Sequence, residues 1–147
     1  MALACAECGA VFDREDEDCA SRFEALLALD HSRAEPWGSR HGLAFSAFAL
    51  QHPRRFSREV LDRAWTLLFK VIQQGEDPGR VTDALKKLGK QRPNWDVPLL
   101  PANAPDPKYR VTIASLGDFE AETYPERLDA WCRAALEGWC EKGPASV

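Results

Sequence analysis

The chain has 147 residues, enough for a single domain with a real apolar core. Hydrophobic residues make up 45% and the formal net charge is -4, with acids and bases interspersed. That composition excludes a disordered chain and argues against a nucleic-acid protein, which would carry a basic stripe.

No apolar run approaches the roughly 18 residues needed to span a bilayer. The opening MALACAECGA has no basic n-region and no long apolar h-region, so it does not read as a signal peptide. A cytoplasmic location is the expectation. There, five cysteines read as thiols or metal ligands before disulfides.

Residues 1–18 lack periodicity. Gly9 follows Cys8 as a tight turn would want, and Asp13 to Asp18 is an acidic run. The run reads as a solvated loop, with Asp16 and Asp18 just ahead of a helix N-terminus, where negative charge is favoured. The first helix is predicted from Cys19 to about His31, with Phe23, Leu26, Leu27 and Asp30 at helical spacing. Ser32 to Pro36 is a turn, with Pro36 at the opening of the next helix. That second helix runs from about Trp37 to Gln51 and stops at Pro53, which disfavours helical geometry at His52. Its small residues Gly42, Ala44, Ser46, Ala47 and Ala49 allow close approach. Leu43, Phe45, Phe48 and Leu50 make it apolar nearly all round, hence central.

Ser57 caps a third helix predicted to reach about Gln74, closed by Gly75. Asp77 caps a fourth, with Pro78 in its first turn and Gly89 as its stop. Lys90 to Val111 holds Pro93, Pro98, Pro101, Pro105 and Pro107, so it is neither helix nor central strand. Trp95, Val97, Leu99 and Leu100 are expected to lay it extended against the bundle. Thr112 caps a short turn through Leu116. The last helix runs from about Pro125 to Lys142 and stops at Gly143, with Leu128, Trp131, Cys132, Ala135, Leu136 and Trp139 inward. The predicted class is all-α, a compact bundle of about five helices forming one domain over 1–147. Its parts are a metal-binding segment (1–18), helices one to four (19–89), the Pro-rich connection (90–111) and a C-terminal helical segment (112–147).

Cys5-Ala-Glu-Cys8-Gly9 has the two-residue gap of a zinc knuckle, in which two thiolates grip one ion while turn amides face the sulfurs. Cys19 is the natural third ligand. If helices one and two form an antiparallel hairpin, residues whose numbers sum to about 71 lie level. Cys19 is then level with His52, the preferred fourth ligand, and Asp30 with His41. His41 and His52 are about 16 Å apart along the helix axis and cannot share an ion, so His41 is an alternative and not a fifth ligand. A redox Cys-x-x-Cys is the rival reading, but it wants a strand and a βαβ context. Cys19 as a buried helix cysteine, and each histidine as a hydrogen-bonded core residue, are the plainer alternatives. Cys132 and Cys140 are about 12 Å apart in rise, beyond disulfide reach, and read as packing residues, either of which could replace His52. Asp30 with His41, joined by His31, is a second candidate site: a general-base pair, an open metal position or a structural hydrogen bond.

The residues Cys5, Cys8, Gly9 and Ala10, then Cys19, then His41, Leu43, Gln51, His52 and Pro53, resemble the pattern of a family of bacterial proteins of uncharacterised function. The Trp-rich helix from Pro125 to Trp139 is similar too. The resemblance implies the metal site and carries no activity.

Three functions follow as expectations. The first is a non-enzymatic binding or accessory module, with zinc tying the N-terminal segment to the first helical hairpin. The second is a small metalloenzyme of specialised metabolism, with its site around His41 and Asp30. The third is a Cys5–Cys8 redox sensor. The reading leans away from an enzyme. The partner is a protein or small molecule, neither nucleic acid nor membrane, and the oligomeric state is left open.

Overall fold

A computed structural model describes residues 4–89, 96–102, 104 and 109–141. It is all-helical, with no strand among the described residues. The five helices are α1 (Cys19–His31), α2 (His41–Gln51), α3 (Arg58–Leu68), α4 (Pro78–Leu88) and α5 (Tyr124–Glu141). None of them is long and apolar enough to cross a membrane.

The helix starts follow from their caps. Asp18 accepts from the Ser21 amide while the Ser21 hydroxyl oxygen accepts from the Asp18 amide, a capping box that fixes the first residue of α1 as Cys19. Ser57 and Asp77 accept from Val60 N and Arg80 N at the starts of α3 and α4. α2 opens later than predicted. A 3-10 turn, Gly38–Arg40, precedes it, because Arg40 leaves helical geometry and the regular helix begins only at His41. The third helix does reach the expected end, but its last turn widens to a π turn over Phe69–Gln73.

α2 is the centre. Ala44, Ser46, Ala47, Phe48, Ala49, Leu50 and Gln51 are all buried, and its small side chains let α3 and α5 pack close on either side. A Cβ at Gly42 would sit 3.4 Å from both Leu67 and Thr82, which puts α3 and α4 directly over this end of α2. On α1, Cys19, Phe23, Leu26 and Asp30 are the buried stripe. Phe23 stacks on Phe48 with ring centres 4.1 Å apart, so α1 meets α2 through aromatic rings.

Tryptophan indoles tie the outer segments to this core, each N–H finding an acceptor as burial requires. Trp131 donates to Gln51 Oε1 at 2.9 Å, Trp139 to Leu50 O at 2.7 Å, and Trp37 to Phe119 O at 2.8 Å. Gln51 in turn donates to Val111 O at 2.9 Å.

The described part of the Pro-rich connection lies on α3: Trp65 donates to Pro98 O, and Arg58 to Leu100 O and Pro101 O. Leu100 is buried as expected, but Leu99 is 71% exposed, because successive side chains of an extended segment point to opposite sides. Lys90, Pro93, Trp95, Pro105, Pro107, Lys142 and Gly143, which entered the expectations, lie outside the described residues. The inward residues of α5, Leu128 to Trp139, are all buried as their spacing predicts. Cys140 is exposed, not a packing residue: it falls one position past Trp139, off the buried stripe.

Candidate metal centre

The N-terminal segment folds into a tight loop. Gly9 N donates to Cys5 O at 2.9 Å and Cys5 N to Ala10 O at 2.8 Å, with Gly9 at φ 85, a left-handed geometry that suits glycine. This turn brings Cys5 and Cys8 to the same side. Ala10 N points at Cys8 Sγ at 3.4 Å, the amide-to-sulfur contact expected of a knuckle.

Cys19 arrives from the first turn of α1. Its Sγ is 3.6 Å from that of Cys8. Sulfurs bound to one tetrahedral zinc at about 2.3 Å stand about 3.8 Å apart, so this spacing already fits a shared ion.

His52 arrives from the other end of α2, and the reason is local. Pro53 has no N–H and keeps His52 out of helical geometry, at φ -133 and ψ 56. The His52 amide therefore bonds Ala49 O and not Phe48 O. The carbonyl left over at Phe48 accepts from His52 Nδ1 at 2.8 Å. That bond fixes the tautomer: Nδ1 carries the proton and Nε2 the lone pair. The imidazole is fully buried, and Nε2 has no hydrogen-bond partner.

One ligand atom from each of Cys5, Cys8, Cys19 and His52 lies within 4.8 Å of all the others. Cys8, Cys19 and His52 are buried and Cys5 is half-buried. The two buried thiols divide one proton between them. The hydrogen bond from Cys19 pulls the pKa of Cys8 well below the ordinary thiol range, against its burial. Cys19, donating that bond and buried, is held far above it.

Outside the four ligand atoms, Glu7 clamps the loop down. Its carboxylate accepts from Arg54 N at 3.1 Å and from Arg55 Nε at 2.7 Å, in the turn that follows His52. The Arg55 guanidinium sits 5.8 Å over the Phe48 ring and lies within electrostatic reach of Cys5 and Cys19. Sequence reasoning missed Glu7, Arg55 and the Phe48 carbonyl. The signal for Glu7 was its place inside the Cys-x-x-Cys loop, which means little until the fold sets Arg54 and Arg55 beside it.

The alternative fourth ligands are elsewhere. His41 is at the far end of α2, its Nδ1 bonded to Asp30 Oδ2 at 2.9 Å. Cys132 is buried on α5 with its thiol on Leu43 O at 3.6 Å, and its apolar surroundings raise its pKa. Cys140 is exposed on the same helix. None of the three joins the cluster.

Residues 3–140 match the model of a family described as a family of unknown function, DUF5946. The chain belongs to that family. The DUF5946 match thus covers the cysteine loop, helices α1 to α4, the connection between α4 and α5, and α5 but for its last residue. No curated protein matches the chain, and no solved structure does.

Proposed function

We propose that Cys5, Cys8, Cys19 and His52 hold one zinc ion, and that the ion is structural. It ties the loop of residues 4–18 to the start of α1 and the end of α2. The observation that carries this is His52 Nε2: a buried nitrogen with its lone pair free, beside three sulfurs, costs roughly 1–3 kcal/mol unless something binds it. Three thiolates and one imidazole are a donor set zinc accepts tetrahedrally, and four protein ligands leave no position for substrate. That closure favours a non-enzymatic binding or accessory module over a metalloenzyme at this ion, and it engages the thiols that a Cys5–Cys8 redox sensor would need. We further infer one domain over 1–147 acting in a bacterial cytoplasm, with a protein or small-molecule partner.

Zinc would supply no chemistry beyond cross-linking. The chain does the rest: the Phe48 carbonyl aims His52, the turn amide of Ala10 faces Cys8, and Glu7 holds the Arg55 guanidinium within electrostatic reach of Cys5 and Cys19. Elemental analysis with X-ray absorption on protein from a zinc-sufficient culture tests this. One zinc per chain with three sulfurs and one nitrogen in its shell is the expected result. Protein without zinc, or a shell containing water in place of a protein ligand, overturns it.

A further inference from the structure

The opposite end of the α1–α2 pair holds a second constellation, which the thiolate site does not use. The Asp30 side chain is fully out of solvent. Its Oδ2 accepts from His41 Nδ1, and its Oδ1 is buried with no hydrogen-bond partner. The Tyr124 hydroxyl is likewise buried without one, and it feels the charges of Asp30 and Arg40. A buried carboxylate on an otherwise apolar helix stripe costs several kcal/mol, so Leu would serve packing better.

What Asp30 does accomplish is to orient one imidazole. With Nδ1–H on the carboxylate, His41 Nε2 carries the lone pair, and 44% of that side chain faces solvent. A carboxylate behind one ring nitrogen, with the other ring nitrogen outward, is how proteins hold metal-binding histidines. His31, exposed on the last turn of α1, brings the second imidazole. Its ring centre lies 6.0 Å from that of His41, with the planes inclined by 51°. Two imidazoles on one tetrahedral ion, at metal–nitrogen bonds of about 2.0–2.1 Å, have their centres about 5 Å apart. A change of rotamer at the exposed His31 closes that gap. The nearby Arg40 is occupied by Pro36 O and the Glu35 carboxylate.

We propose that His31 and His41 form a second, open site for a divalent first-row transition metal, with Asp30 as its buried counter-charge. Such an ion binds His41 through Nε2 and His31 through a ring nitrogen, and water or an oxygen-donor ligand fills the remaining positions. Imidazole donors suit Zn2+, Ni2+, Cu2+ and Co2+ and disfavour Mg2+ and Ca2+. An ion on Nε2 makes the Nδ1–H a stronger donor and offsets the negative charge at Asp30. The site shares no residue with the cysteine cluster, so neither reading rests on the other.

The test is calorimetric titration of full-length protein, carrying one equivalent of zinc, with Ni2+. The expected result is one further equivalent, lost in both His31→Ala and His41→Ala and weakened about tenfold in Asp30→Asn. His31 is on the surface, so His31→Ala keeps the fold, as circular dichroism will verify. Co2+ distinguishes the sites, because only the thiolate site gives a strong sulfur-to-metal charge-transfer band. Cys8→Ser removes that band and leaves the nickel equivalent intact. A wild-type protein that takes up no further metal overturns the proposal. So does unchanged binding in His31→Ala, or loss in His41→Ala alone.

Discussion

At one end of the α1–α2 pair, Cys19 and His52 meet with their ligand atoms shut inside the bundle; at the other, Asp30 and His41 meet with one imidazole half in water. Both ends use a helix terminus of α1 against a helix terminus of α2, and both contain a buried group without a partner. They differ in what covers them. The loop of residues 4–10, held by Glu7 and the Arg54–Arg55 turn, closes over the first end and contributes two more sulfurs. The Asp30 end has the turn after α1, with exposed Ser32, Arg33 and Ala34, and so stays open. A closed donor set suits a structural ion, and an open pair suits an exchangeable one. The lesson is that the covering segment, more than the donors themselves, separates the two kinds of site.

The comparison breaks most visibly if the closed end is emptied. Removing zinc, or Cys8→Ser, is expected to cost about 4 kcal/mol, the stabilisation from a ligand held at a thousandfold excess over its Kd. For a chain of this size that lowers Tm by roughly 10 °C. Hydrogen exchange should show residues 4–18 losing protection while α3 and α5 keep theirs.

Next is Phe48→Ala. The ring stacks on Phe23 at 4.1 Å and on His52 at 4.2 Å, between the two ends. Its loss should cost about 3 kcal/mol by denaturant titration and weaken zinc as well, since His52 loses a packing wall. Stability loss with unchanged zinc affinity would show that the imidazole is held by its hydrogen bond alone.

Asp30→Asn acts in the other direction. Burial raises the Asp30 pKa above its ordinary value, opposed by His41 and His31. A carboxyl whose folded-state pKa is raised stabilises the fold when protonated, and that contribution is lost as pH rises through the carboxylate range. The amide should therefore make the protein more stable near neutral pH, by on the order of 1 kcal/mol, and flatten the stability profile between acid and neutral pH.

At the closed end pH acts through the metal. Cys19 holds its proton far up the pH scale, so zinc must displace it, and affinity should rise with pH with proton release detectable in weakly buffered solution. Glu7→Gln is the smallest change: below about 1 kcal/mol in stability, because Arg55 is partly exposed, but with zinc dissociating roughly tenfold faster. A Glu7→Gln protein that keeps the wild-type zinc off-rate would show that the clamp is only a surface ion pair.

Much of this was legible in the chain itself. Ser57 and Asp77 mark helix starts, Gly75 and Gly89 mark stops, and the Leu128–Trp139 stripe repeats at the helical period, because caps and periodicity are local physics. The level pairs Cys19 with His52 and Asp30 with His41 follow from a hairpin whose turn length is written in Ser32–Pro36. Other features needed the folded molecule. The 3-10 turn ahead of His41 and the π turn after Leu68, which packs against α4 and α5, are written in no cap or period of the sequence. Nothing local says that Arg55 reaches back to Glu7, 48 residues earlier. Residue types and spacing chose the donors and the helices that carry them. Which of the two proposed sites is sealed was decided by segments distant in the chain coming to lie against each other, and only three-dimensional packing sets that.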